Sequence, residues 1–228
     1  MMQLIKKNKI KIFLSLLLAL ILWFSFIYSS EANNKENYGN INVQDFSTDI
    51  SDDLLVTGAL EDKFIGNANA PITIIEYASM TCSHCSNFHE TVLPKIKEKY
   101  VDTGIVKFIF REYPIDQLAI VASMLGRCVE DDKYFPFINI LFQQRDQWIT
   151  EQPIEPLKIL SKQAGLSGEL FDQCLANQEL LDSLLWVKKY ASEKLAVTST
   201  PTFFINNKMI TGSKSFETFE NEIQNIIY

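Results

Sequence analysis

The sequence predicts an α/β domain interrupted by an inserted helical segment, and three observations carry that prediction. An apolar run, Ile72 to Tyr77, reads as a buried strand and leads into a helix-like run that starts at Ser83, with Cys82-Ser83-His84-Cys85 at the junction. Val106, Phe108 and Phe110 alternate with Lys107, Ile109 and Arg111 as a second strand, so strand, helix and strand make a right-handed βαβ unit. Farther on, Thr202 to Ile205 and Lys208 to Thr211 flank Asn206-Asn207, a hairpin signal, and Phe216, Phe219, Ile223 and Ile226 mark a closing helix.

Taken in order, residues 1–30 stand apart from the fold. Lys6, Lys7, Lys9 and Lys11 precede an apolar run from Ile12 to Tyr28, the pattern of a secretory signal. Ser30-Glu31-Ala32 offers a small-x-small cleavage site, yet the run is nearly long enough to span a bilayer, so a cleaved signal and a retained N-terminal anchor both fit. Either way the rest of the chain is expected outside the cytoplasm, in the periplasm. Without the four lysines, 28 acidic face 17 basic residues, a net charge of about −11, and no basic patch suited to nucleic acid remains. Residues 31–60 are polar and read as a linker or arm. The first part of the α/β domain occupies 61–116, the helical insertion 117–195 and the second part 196–228. Pro94 lies inside the first helix and should kink it, because proline lacks an N–H and crowds the preceding turn.

The insertion holds apolar faces at Ile120, Val121, Met124, Leu125 and Cys128, at Phe137, Ile138, Leu141 and Phe142, at Leu170, Phe171 and Cys174, and at Leu180, Leu181, Leu184 and Leu185. About 80 residues is too long for a loop, and a helical subdomain with its own packing, forming one wall beside the cysteine pair, is expected. Trp148 reads as core. Cys128 and Cys174 both fall on apolar faces of an exported chain, where a structural disulfide is expected and two buried free thiols are the alternative.

The chemistry centres on the cysteine pair at 82 and 85. At a helix N-terminus, unpaired N–H groups and the positive end of the helix dipole favour a thiolate at Cys82, and His84, when protonated, adds a second positive group. A zinc site would require two further ligands at short spacing, and only His89 and the distant Cys128 offer themselves, so no metal is expected. No other cofactor is called for. Glu76 stands within the first strand, six residues before Cys82. A carboxylate buried there is costly unless paired or working, and burial would raise its pKa, which suits a proton acceptor near the second cysteine. An edge position reaching water is the other reading.

Glu76, Cys82-Ser83-His84-Cys85, Phe88-His89, Leu93-Pro94, Val106 to Arg111, Tyr113-Pro114 and Thr200-Pro201-Thr202-Phe203-Phe204 resemble the DsbA-type disulfide oxidoreductases of the thioredoxin superfamily. The resemblance runs from about Asp62 onward and implies a thioredoxin-like fold with an inserted helical subdomain. Ser83 stands where the best-known periplasmic oxidases have proline, which bears on the redox potential rather than on the fold. The resemblance also implies a cis Thr200-Pro201 bond, which would turn the Thr200 backbone toward a substrate held against Cys82.

Two functions follow as expectations. One is an exported thiol-disulfide oxidase that introduces disulfides into reduced client proteins through Cys82 and the buried Cys85, with a membrane-bound partner for reoxidation implied by the resemblance. The short polar arm gives little to bury in a dimer, so a monomer is expected, and an isomerase or reductase of the same fold is the runner-up. The second is a non-enzymatic binding or chaperone module in which Cys82 and Cys85 form a structural bridge.

Overall fold

A computed structural model describes residues 50–228. The signal or anchor at 1–30 and the arm as far as residue 49 lie outside the described residues. A short helix α1 (Ile50–Leu54) and edge strand β1 (Lys63–Ile65) precede β2 (Ile72–Ala78), α2 (Ser83–Thr91), α3 (Leu93–Ile96) and β3 (Val106–Glu112). Six helices follow: α4 (Gln117–Cys128), α5 (Asp131–Gln143), α6 (Arg145–Trp148), α7 (Ile154–Gln163), α8 (Gly168–Leu175) and α9 (Gln178–Lys194). The hairpin β4 (Thr202–Ile205) and β5 (Lys208–Thr211) and helix α10 (Phe216–Ile227) complete the set.

The strands form one mixed sheet in the order β1-β3-β2-β4-β5. β2 and β3 run parallel, with Ile74 opposite Phe108, and β4 runs antiparallel to β2, with Tyr77 opposite Thr202. Alternation sorts the side chains to two faces. Ile74, Phe108, Phe110 and Phe203 enter the larger core beneath α2 and α10, while Ile75, Tyr77, Ile109 and Phe204 meet Val187 and Ala191 of α9 on the other side. Asn206 at the hairpin has φ 48°, which asparagine tolerates, and its Oδ1 accepts from the Thr73 N–H at 2.9 Å while its own N–H donates to the Thr73 carbonyl at 2.8 Å. Gly66, after β1, has φ 98°, and a Cβ there would meet the Val106 carbonyl oxygen at 2.5 Å.

The helix after Cys82 is interrupted at Val92, just before its proline. α2 ends at Thr91 and α3 restarts at Leu93 with Pro94 in its first turn, where the missing N–H costs nothing. The next turn is wider than α, with the Asp102 N–H donating to the Lys97 carbonyl at 2.8 Å. Phe88, Val92, Ile96 and Tyr100 nonetheless all remain buried on one face.

The inserted helical segment stands between β3 and β4 as expected, and its Phe137, Leu141, Trp148, Phe171 and Leu184 join one continuous core with Phe88 of α2 and with Phe108 and Phe203 of the sheet. Two of the apolar stripes are narrower than read, since Leu170 and Leu185 are exposed. The polar arm also ends earlier than residue 60. Leu54 is buried under the sheet, and the Arg111 guanidinium, reaching out from β3, donates to the Leu54 carbonyl at 2.8 Å, to the Tyr77 hydroxyl at 2.7 Å and to both oxygens of Asp62 at 2.7 and 2.9 Å. A hydrogen-bonded ion pair of this kind satisfies a buried charge and so orders the chain around it.

In the structure Cys128 of α4 and Cys174 of α8 are joined by a disulfide with a sequence separation of 46 residues. In the chain-entropy treatment such a loop adds about 4 kcal/mol. A Cys128→Ala, Cys174→Ala double variant is therefore expected to unfold at lower urea concentration than the parent by a free energy of up to that size. Equal unfolding midpoints would remove the bridge from the account of stability.

Candidate active site

Cys82 is the N-cap residue of α2, with its carbonyl accepting from the Ser86 N–H at 3.1 Å. Its side chain thus sits over the N–H groups that open the helix. The preceding loop is held from three directions. The Cys82 N–H donates to the Ser79 carbonyl at 3.1 Å. The Thr81 hydroxyl donates to Asp116 Oδ2 at 2.6 Å, while Asp116 Oδ1 caps α4 by accepting from the Ala119 N–H at 2.7 Å. Arg145 of α6 donates twice to the Thr81 carbonyl, at 3.1 and 3.0 Å.

The two thiols are free in this structure and differ sharply. Cys82 is brought down from the ordinary thiol value of 9.0 to about 5, chiefly by a hydrogen bond from the Cys85 thiol; partial burial opposes this, and Thr200 together with the Cys85 and His84 backbone N–H groups assists. Cys85 is fully buried and pushed well above the thiol range, first by desolvation, then by its bond to Cys82 and by the charge of Glu76. One thiol is poised to ionise and the other to stay protonated. His84 is exposed, and the help it gives Cys82 comes through its backbone N–H, where the sequence had suggested its ring.

Thr200-Pro201 is a cis peptide, and the Thr200 carbonyl oxygen lies 3.4 Å from Cys82 Sγ. A Cys82 thiol donates to that carbonyl; on ionisation the sulfur relies on the donors named above.

Glu76 is fully buried at the centre of the sheet, on β2, and not at an edge reaching water. Desolvation raises its pKa despite the opposing pull of His89. Its Oε2 lies 2.8 Å from His89 Nε2, and its Oε1 has no hydrogen-bond partner. His89 is the residue that sequence reasoning left without a role beyond a weighed zinc ligand. The available signal was that Glu76 and His89 both occupy positions facing one apolar core, and two buried ionisable groups are each costly alone. Arg145 and Asp116 carried no such signal. Among the described residues no cluster of His, Cys, Asp or Glu side chains is arranged to hold a metal ion.

Residues 59–225 match the family model described as Thioredoxin. The crystal structure of Wolbachia pipientis alpha-DsbA1 is similar to this chain with a TM-score of 0.70 and 36% identity, covering 76% of this chain and 94% of that one. Disulfide bond formation protein D of Bacillus subtilis is 27% identical over 70% of this chain and 76% of its own length. A Rickettsia felis protein, provisionally named a protein-disulfide oxidoreductase, is 29% identical over 71% of this chain, and the match spans 59% of that relative, less than two thirds of its length. The chain belongs to the thioredoxin superfamily as a DsbA-like member.

The depressed Cys82 value has a direction that can be tested. The thiolate adds stability to the reduced protein that is fully present above the ordinary thiol value of 9.0 and is lost as pH falls through about 5. Thiolate absorbance of the reduced protein should therefore titrate near 5, and Cys85→Ala, which removes the leading donor, should move the midpoint upward. A midpoint unmoved by that substitution would assign the shift to the helix N-terminus instead.

Proposed function

We propose that this protein is an exported thiol-disulfide oxidase working in the periplasm. The observation that carries the reading is the contrast within the pair: a low-pKa Cys82 beside a buried, protonated Cys85. In the disulfide form, a client thiolate attacks Cys82 Sγ, the Cys82-Cys85 bond breaks and a mixed disulfide forms between client and Cys82. A second client thiolate then attacks the client sulfur, closing the client's own disulfide and releasing Cys82 as a thiolate. The leaving step is favoured because that thiolate is stabilised, so electrons flow from client to enzyme. Cys85, left as a buried thiolate in the first step, takes up a proton, and Glu76 is the group that exchanges it.

Thr200 and cis-Pro201 form the other wall of the site. Backbone groups at this position can pair with an extended client segment as an added strand would. The reduced enzyme then returns its electrons to a disulfide-bearing partner in the membrane. Export rests on the signal pattern of residues 1–30, and the similarity to alpha-DsbA1 and to disulfide bond formation protein D supports the direction of the reaction.

Two assays on the domain from Asn33 onward, run beside its mass in solution, test this. Rapid oxidation of a reduced dithiol peptide by a monomer, abolished in Cys82→Ser, is the expected result. Slow oxidation with efficient recovery of a scrambled-disulfide protein by an oligomer would make it an isomerase. A Cys82-Cys85 bridge that resists mild dithiol reductant would make it a non-enzymatic module.

A further inference from the structure

The oxidase reading leaves a proton problem. Cys85 and Glu76 are fully buried, so any proton that passes between them has no direct way to water. His89 adjoins Glu76 and is itself almost fully buried. Its ring lies between Phe142, with centroids 4.3 Å apart, Phe110 at 5.5 Å and Phe88 at 5.7 Å. Its Nε2 faces Glu76 Oε2 at 2.8 Å, and its Nδ1 faces Asn139 Oδ1 on α5 at 3.4 Å. Asn139 is half-buried, at the rim of the core.

We propose that His89 carries the proton of Cys85, by way of Glu76, between the buried site and the surface at Asn139. In the resting state of this relay Nδ1 holds the hydrogen toward Asn139 Oδ1, Nε2 is bare, and a protonated Glu76 donates from Oε2 across the 2.8 Å contact. Glu76 Oε1, the oxygen without a partner, is then free to receive. When Cys85 attacks Cys82 Sγ of a mixed disulfide, the Cys82-Cys85 bond forms, the bond from Cys82 to the partner breaks, and the partner leaves as a thiolate. The Cys85 proton passes to Oε1, the Oε2 proton passes to Nε2, and the Nδ1 proton leaves beside Asn139. One proton enters the chain and one leaves it. The reverse sequence protonates Cys85 when a client opens the bridge.

Other charges near the pair do not supply a competing path. Cys82 and Cys85 on α2 face Glu76 and are the reacting groups themselves. Tyr134 of α5 feels the Glu76 charge, but its hydroxyl is committed to Glu112 Oε1 at 2.6 Å, and Glu112 is closed off by Arg127 at 2.5 and 2.6 Å.

The inference rests on the reading of Glu76 as the proton-exchanging group, and the experiment separates the two. Rapid mixing of the reduced protein with oxidised glutathione gives a concentration-dependent phase, attack by Cys82, and a concentration-independent phase, resolution by Cys85. His89→Gln, which keeps a polar group but cannot relay a proton, and His89→Phe should both slow resolution by roughly tenfold or more and alter its pH profile, with the first phase and the Cys82 titration unchanged. Resolution at the parent rate in His89→Gln, or equal slowing of both phases, overturns the relay. If Glu76→Gln slows resolution while the His89 variants do not, only the relay fails. If Glu76→Gln resolves at the parent rate, the role of Glu76 fails and the relay with it.

Discussion

The pairing of β2 with β4 is the constraint on which the site depends. Tyr77 opposite Thr202 brings the end of one strand beside the start of another 125 residues later in the chain, so the loop that carries Cys82 and the turn that carries Pro201 emerge at the same end of the sheet. Nothing local to either segment could do this. The Asn206 bonds to Thr73 hold the opposite end of the same ladder, and a slip by one residue would turn Glu76 from the larger core to the smaller one.

Within that frame the reactivity is a division of labour between burial and exposure. Burial raises the pKa of both Cys85 and Glu76, while Cys82 meets donors that reward ionisation. The low dielectric that favours a protonated Cys85 also makes its proton hard to move, so the features that set the thiol asymmetry are the ones that the proposed roles of Glu76 and His89 answer.

Much of this was legible in the residues. Alternation in Val106 to Arg111, the apolar run at Ile72 and the Asn206-Asn207 turn mark strands that the structure extends by a residue at most, and Cys82-Ser83-His84-Cys85 marks the helix start. What escaped depends on contacts between distant segments. A three-residue edge strand such as Lys63–Ile65 leaves almost no periodic trace. Leu54 is ordered by an arginine 57 residues away. The inserted helical segment has apolar faces whatever it packs against, and that they join the core of the sheet shows only in contacts such as those of Phe142 with His89 and Phe110. Arg145 lies in an ordinary polar stretch, and its partner is a backbone carbonyl, which no side-chain pattern can announce.

That arginine has a consequence beyond holding a loop. Its guanidinium grips the carbonyl directly before Cys82 from a four-residue helix that is otherwise anchored through Trp148, whose indole donates to the Leu141 carbonyl at 2.7 Å. The inserted helices are thereby wired to the peptide unit that leads into Cys82. Thr81 is thus tied at once to the end of the sheet and to the inserted helices, and the sulfur belongs to the next residue along.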